Sequence, residues 1–139
     1  MAGIQRPYDV LSASPSTFDN GLYLNVMAGV AITKGMVLIW DLSGTYGDAG
    51  YVVTTTTTAN NGAVAGVAMD DAAIGEPLRM CIAGVIEANA AATVAAADTV
   101  ATHTVAGQCN DATPTAGAVL GEALTTSSGS KAIIHVKLG

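Results

Sequence analysis

Hydrophobic positions along the chain fall in short runs separated by glycine-bearing turns, at intervals of roughly ten residues, the spacing of an all-β fold. Residues 35–41 (Gly-Met-Val-Leu-Ile-Trp-Asp) form one such run behind a glycine, too short for a helix and rich in β-formers. Residues 50–58 are β-branched almost throughout. Five consecutive threonines suit a pleated, half-exposed strand, because a helix would restrict their χ1 freedom. Asn60-Asn61-Gly62 follows as a turn, since Asn and Gly tolerate the positive φ that tight hairpins require. Further strands are expected at residues 63–69, 77–82, 85–86, 119–120 and 133–138. Residues 87–98 depart from the pattern. Their alanines favour a helix, but Thr93 and Val94 dilute that preference and no Lys or Arg supports the C-terminal end. The segment reads as a loop with one helical turn, leading into a short strand at 99–104.

Residues 1–20 have a different texture. Pro7 and Pro15 fix their own φ and push the residues before them toward extended backbone, so the segment reads as an arm rather than a helix. Ile4, Tyr8, Val10 and Leu11 are apolar groups on it with no evident local partner. Two readings stand: a frayed terminus, or an extended arm that orders on a partner. The chain then divides into an arm, 1–20, and a single β-rich domain, 21–139.

Within that domain the sequence repeats. Residues 65–84 align without gaps on 120–139, at an offset of 55 residues, pairing Gly66 with Gly121, Ala68 with Ala123, Met69 with Leu124, Leu78 with Ile133 and Gly84 with Gly139. The turn glycines Gly75 and Gly129 fall one position out of register. Residues 32–38 are similar to 94–100 at an offset of 62. Two copies of one β-unit, about 30–84 and 92–139, are too few for a solenoid, which needs at least three repeats to bury a continuous core. A compact pseudo-twofold fold is expected: all-β, barrel-like or tulip-like.

Composition narrows the class. A chain of 139 residues is one domain by size. Half of the residues are hydrophobic, yet 4% are aromatic and 12% charged, the latter about half of the usual ~25%. Such a core is thin, and a subunit partner is expected to complete it. A net charge of −6 with five Lys and Arg disfavours a nucleic-acid groove, which depends on phosphate neutralisation. No apolar run approaches the ~18 residues of a membrane helix. The N-terminus lacks a hydrophobic signal core, so export by the usual route is not expected. The first 18 residues carry Arg6 and Asp9 and are neutral as a group, so the −6 resides on the body.

Few residues offer chemistry. His135 alternates with Ile134 and Val136 on the last expected strand, where the repeat sets it opposite Met80, and His103 lies in a polar strand or loop. Neither adjoins a nucleophile, and no Gly-x-Ser-x-Gly elbow occurs. His103, Cys109 and Asp111 match no familiar zinc spacing. Asp70 and Asp71 are adjacent, so on a strand they would face opposite ways; a turn role is expected, matched by Thr125-Thr126 in the second copy. The glycine-bearing stretch 62–66 feeds a strand without a following lysine, which argues against a phosphate cradle. Cys81 and Cys109 are too few and too far apart for a disulfide framework and read as buried small apolar groups. No catalytic, cofactor or metal site is expected.

The motifs at residues 32–38 (apolar-x-Lys-Gly-x-apolar-apolar), 64–72 (Val-Ala-Gly-Val-Ala-Met-Asp-Asp-Ala), 75–85 (opening Gly-Glu-Pro-Leu-Arg-Met), 118–124 and 129–138 resemble the small capsid decoration, or cement, proteins of tailed bacteriophages. The resemblance covers about residues 30–139 and rests on glycine and apolar spacings. It implies a β-rich, commonly trimeric protein, made in the host cytoplasm, that sits outside an icosahedral head and bridges major capsid protein subunits. It also implies a role without catalytic residues; from charge, run length and motifs, no cofactor, nucleic acid or membrane is expected as a partner. On that reading Ile4, Arg6, Tyr8 and Leu11 of the arm are the expected capsid contacts, Arg6 being the arm's one cation. Trp40 is a core anchor or a subunit-interface anchor. The rival reading is another virion surface or fiber-type module gripping a host or glycan ligand, for which Tyr46 and Tyr51 would supply the aromatic platform.

Overall fold

A computed structural model describes residues 21–43, 51–111 and 117–138, and among them every regular element is a strand. The strands are β1 (Gly21–Ala28), β2 (Val37–Trp40), β3 (Val52–Thr54), β4 (Val64–Ala68), β5 (Pro77–Asn89), β6 (Thr99–Thr102), β7 (Cys109–Asp111), β8 (Gly121–Ala123) and β9 (Lys131–Lys137). They form one sheet in the order β1-β3-β2-β4-β5-β9-β8-β6-β7, and β1 also pairs with β5, which closes a five-stranded barrel from the first five strands. The β1–β3 pair is parallel, and the other pairs of the barrel are antiparallel. The fold is therefore all-β and barrel-like, as the run spacing implies.

The remaining strands repeat the barrel's pairing, with the second half of the 13-residue β5 standing where β1 stood. Val37 pairs with Val67 and Leu38 with Gly66; Thr99 pairs with Glu122 and Val100 with Gly121. Trp40 pairs with Val53, and Thr102 with Cys109. Val26 pairs with Leu78, and Ala88 with Ala132. The parallel contact of Ala28 with Val53 has its equivalent in an isolated parallel bridge between Ala90 and Cys109, which returns β7 to the end of β5. Loop hydrogen bonds follow suit. Gly35 N–H donates to Ala68 C=O at 2.9 Å, and Ala97 N–H to Ala123 C=O at 2.8 Å. Both donors have positive φ, 94° and 76°, a conformation easy for glycine and costly for the alanine of the second copy.

The last strand corrects the alignment by one residue. Met80 of β5 corresponds to Ile134 and Leu78 to Ala132, so the offset there is 54 and His135 takes the place of Cys81, not of Met80. The slip lies in the preceding turn, where Gly75 and Gly129, both at positive φ, are the equivalent residues.

Two apolar clusters fill the molecule. Inside the first barrel lie Val26, Ala28, Ile32, Leu38, Val53, Leu78 and Met80 among others. The equivalent positions Ala88, Ala90, Val94, Val100, Cys109, Ala132 and Ile134 fall in the second cluster. That cluster also holds Val37, Val67 and Cys81, which alternation along β2, β4 and β5 assigns to the outer face of the first barrel, with Met69 just after β4 and Val64, which a register shift at Ala65 turns to the same side. The first barrel thus seals the second. All five residues of β4 are buried for this reason: one face looks into its own barrel and the other into its neighbour's. Among the described residues no aromatic side chain is fully buried, so small aliphatic groups fill both cores.

Several expectations change. Residues 87–89 continue β5 and residues 91–98 form turns without a helical turn. Only Val52–Thr54 of the threonine-rich run is strand. The Asn-Asn-Gly turn is present, with Asn60 at φ 55°, but it closes no hairpin, because β2 lies between β3 and β4. The strands expected at 77–82 and 85–86 are one. β1 and β7 were not expected, and the strand expected at 119–120 begins at Gly121.

Candidate interaction surface

The paired acids have a backbone task. Asp70 Oδ2 accepts the Arg79 main-chain N–H at 2.9 Å and its Nε–H at 3.0 Å, while Nη2 donates to Oδ1 at 2.8 Å. Asp71 Oδ1 accepts the Lys34 N–H at 2.7 Å. In the second copy Thr125 Oγ1 accepts the Ile133 N–H at 2.9 Å, and Thr126 Oγ1 the Ala96 N–H at 3.2 Å. Hydroxyls hold the same two turns that carboxylates hold in the first copy, so the acids are there as acceptors. The hydrogen bond from the Arg79 side chain is the main cause that keeps the Asp70 carboxyl below the ordinary carboxylate range.

The histidines and cysteines are dispersed. His135 lies across from Glu122 on neighbouring strands, and the Nδ1 of His103 is buried without a partner. Among the described residues no three His, Cys, Asp or Glu side chains gather in a group able to hold a metal ion. Cys81 and Cys109 are buried and unbridged. Burial raises the Cys81 thiol and pushes that of Cys109 up to about 12, so both stay protonated and unreactive at neutral pH. A thiol reagent at pH 8 is expected to label neither cysteine in the folded protein and both in denaturant; fast labelling of Cys109 without unfolding would contradict its burial.

The surface offers more than the interior. Val26 and Ala28 of β1 point into the first barrel, and Leu24 and Leu22 share that face by alternation, yet Leu24 is 41% and Leu22 67% exposed. Among the described residues β3 pairs with β1 only at Met27 and Ala28. From Gly21 to Asn25 the strand is bonded to β5 on one side, and among the described residues no strand pairs with its other side. No charged residue occurs in β1, and edges of this kind are normally blunted by charge or proline. Alongside lies a groove of about 260 Å³, lined by Asn25, Val26, Met27, Tyr51, Gly75 and Pro77. The Arg79 guanidinium, already engaged by Asp70, stands 5.8 Å from the Tyr23 ring centroid.

Of the residues singled out from sequence, Ile4, Arg6, Tyr8, Leu11 and Tyr46 lie outside the described residues. Trp40, at the end of β2, is partly buried and packs against the first barrel's core. Tyr51 is 43% exposed beside the groove. Leu22 and Leu24 were not singled out. The alternation of Leu22, Leu24, Val26 and Ala28 is the signal that marks their strand.

No protein-family model matches the chain, and no curated protein matches it. Among solved structures, the crystal structure of the N base of head fiber gp8.5 in bacteriophage phi29 superposes with a TM-score of 0.58, covering 84% of this chain and 93% of that one. The two are 14% identical, so what they share is a β architecture over nearly their whole lengths.

Proposed function

We propose that the chain is a structural protein of a phage head, acting by burying surface against other proteins rather than by chemistry. The observation that carries this reading is the likeness of fold to the phi29 head-fiber base. On this reading the protein sits on the capsid exterior as a homotrimer and bridges major capsid protein subunits. The arm, 1–20, makes the contact through Ile4, Tyr8 and Leu11, with Arg6 paired to a capsid carboxylate. An uncharged strand edge and a core of small aliphatic groups suit a protein that is held against others. Head attachment is preferred to glycan gripping because the likeness is to the base of a fiber.

Deleting residues 1–17 is expected to leave the barrels folded by circular dichroism and to abolish co-sedimentation with heads of the virus that encodes the protein. The intact chain should sediment as a trimer. Unfolding on truncation, or undiminished head binding, overturns the role given to the arm.

A further inference from the structure

We infer that the open β1 edge of one copy is covered by the outer face of the second barrel of another copy, head to tail. The inference deepens the self-association in the reading above and does not depend on head binding.

The internal repeat supplies the argument. Ile86 is the equivalent of Leu24, on the same inward face of the equivalent strand, and it is 3% exposed where Leu24 is 41%. Ile86 belongs to the cluster that includes Val37, Val64, Val67, Met69 and Cys81, the outer face of the first barrel. Within one chain, then, an inward residue at this strand position is buried in a cluster to which the neighbouring barrel's β2–β4–β5 face contributes. Among the described residues no barrel stands before Leu22 and Leu24 to do this. The equivalent face exists once more in every copy, on β6, β8 and β9, with the same pairings. Its corresponding residues are Thr99, Val119, Glu122, Leu124 and His135. Val119 and Leu124 keep the apolar character, and Leu124 is 47% exposed. Thr99, Glu122 and His135 make the face more polar than its intrachain counterpart, as suits a contact between separately folded chains.

Other occupants fit less well. Residues 1–20 carry two prolines, which cannot donate to a ladder. A twofold contact of β1 with β1 would leave the Leu124 face unused. Head-to-tail contacts close into rings when the rotation permits, which is compatible with a trimer.

The test uses full-length protein and two exposed positions, so folding is not at stake. Leu24→Asp and Leu124→Asp should each reduce the assembled protein to monomer in sedimentation velocity. Mixed in equal amounts, they should form a 1:1 dimer and nothing larger, because one intact edge and one intact face remain between them. Leu24→Cys with Leu124→Cys in one chain should give intermolecular disulfides on oxidation. A mixture that stays monomeric, a disulfide from Leu24→Cys alone, or full assembly by either Asp variant overturns the proposal. Head binding by the monomeric variants is read separately, so the two readings fail apart.

Discussion

Alanine in place of Gly66 or Gly121 is expected to destabilise the protein by about 3 kcal/mol or more, the sum of overpacking and broken ladder bonds. A Cβ at Gly66 would run into the carbonyl oxygen of Cys81 and stand 3.0 Å from Met80 Cγ. A Cβ at Gly121 would run into the carbonyl oxygen of His135, whose carbon would lie at 2.9 Å. Backbone atoms of a paired strand cannot swing aside as a side-chain tip can. β4 must therefore part from β5, or β8 from β9, and give up hydrogen bonds in the core of the sheet. Gly62 is the control: nothing lies within 4 Å of a Cβ placed there, so Gly62→Ala should stay within ~0.5 kcal/mol of the parent. Urea denaturation of the three variants decides. A Gly66→Ala protein with an unchanged midpoint would show that β4 and β5 are not as close as described.

The same two glycines explain how much of the fold was legible. Gly66 and Gly121 align because each lets a strand approach its neighbour's carbonyl, a need of the backbone that survives while the side chains around it diverge. Asp70 and Thr125 share no chemistry beyond an acceptor oxygen, yet turn position alone paired them. The one-residue slip before β9 was hidden because turns absorb insertions at little cost. The alanines of residues 87–98 misled through propensity. Ala88 and Ala90 are small because they line a barrel interior, Ala88 facing Ala132 across the ladder, not because they build a helix. The exposure of Leu22 and Leu24 has no such signature: their alternation with Val26 and Ala28 marks a strand, but it does not show that β3 pairs only with Met27 and Ala28.

Equivalent positions in the two barrels should respond oppositely to exchange. Val67 and Glu122 occupy the same place in the repeated ladder, paired with Val37 and Thr99 respectively. Val67 is fully buried, within the second barrel's cluster, whereas Glu122 keeps 42% of its side chain exposed and pairs with Lys137 at 3.2 Å. Val67→Glu places an unpaired carboxylate between the barrels and is expected to cost roughly 3–5 kcal/mol. Glu122→Val removes a surface ion pair worth ~0–1 kcal/mol and should leave the midpoint almost unchanged. The buried variant should also keep a single transition, because Val67 is hydrogen-bonded into one barrel while its side chain seals the other, so neither can open alone. Thermal melts followed by circular dichroism, with hydrogen exchange at β2 and β9 as reporters of the two barrels, measure both effects. Two separated transitions in Val67→Glu would mean that the barrels are independent and that the first does not seal the second. Equal, mild effects at the two positions would mean that the outer face of β4 is not buried, and the proposed face-to-edge assembly would have no counterpart within the chain.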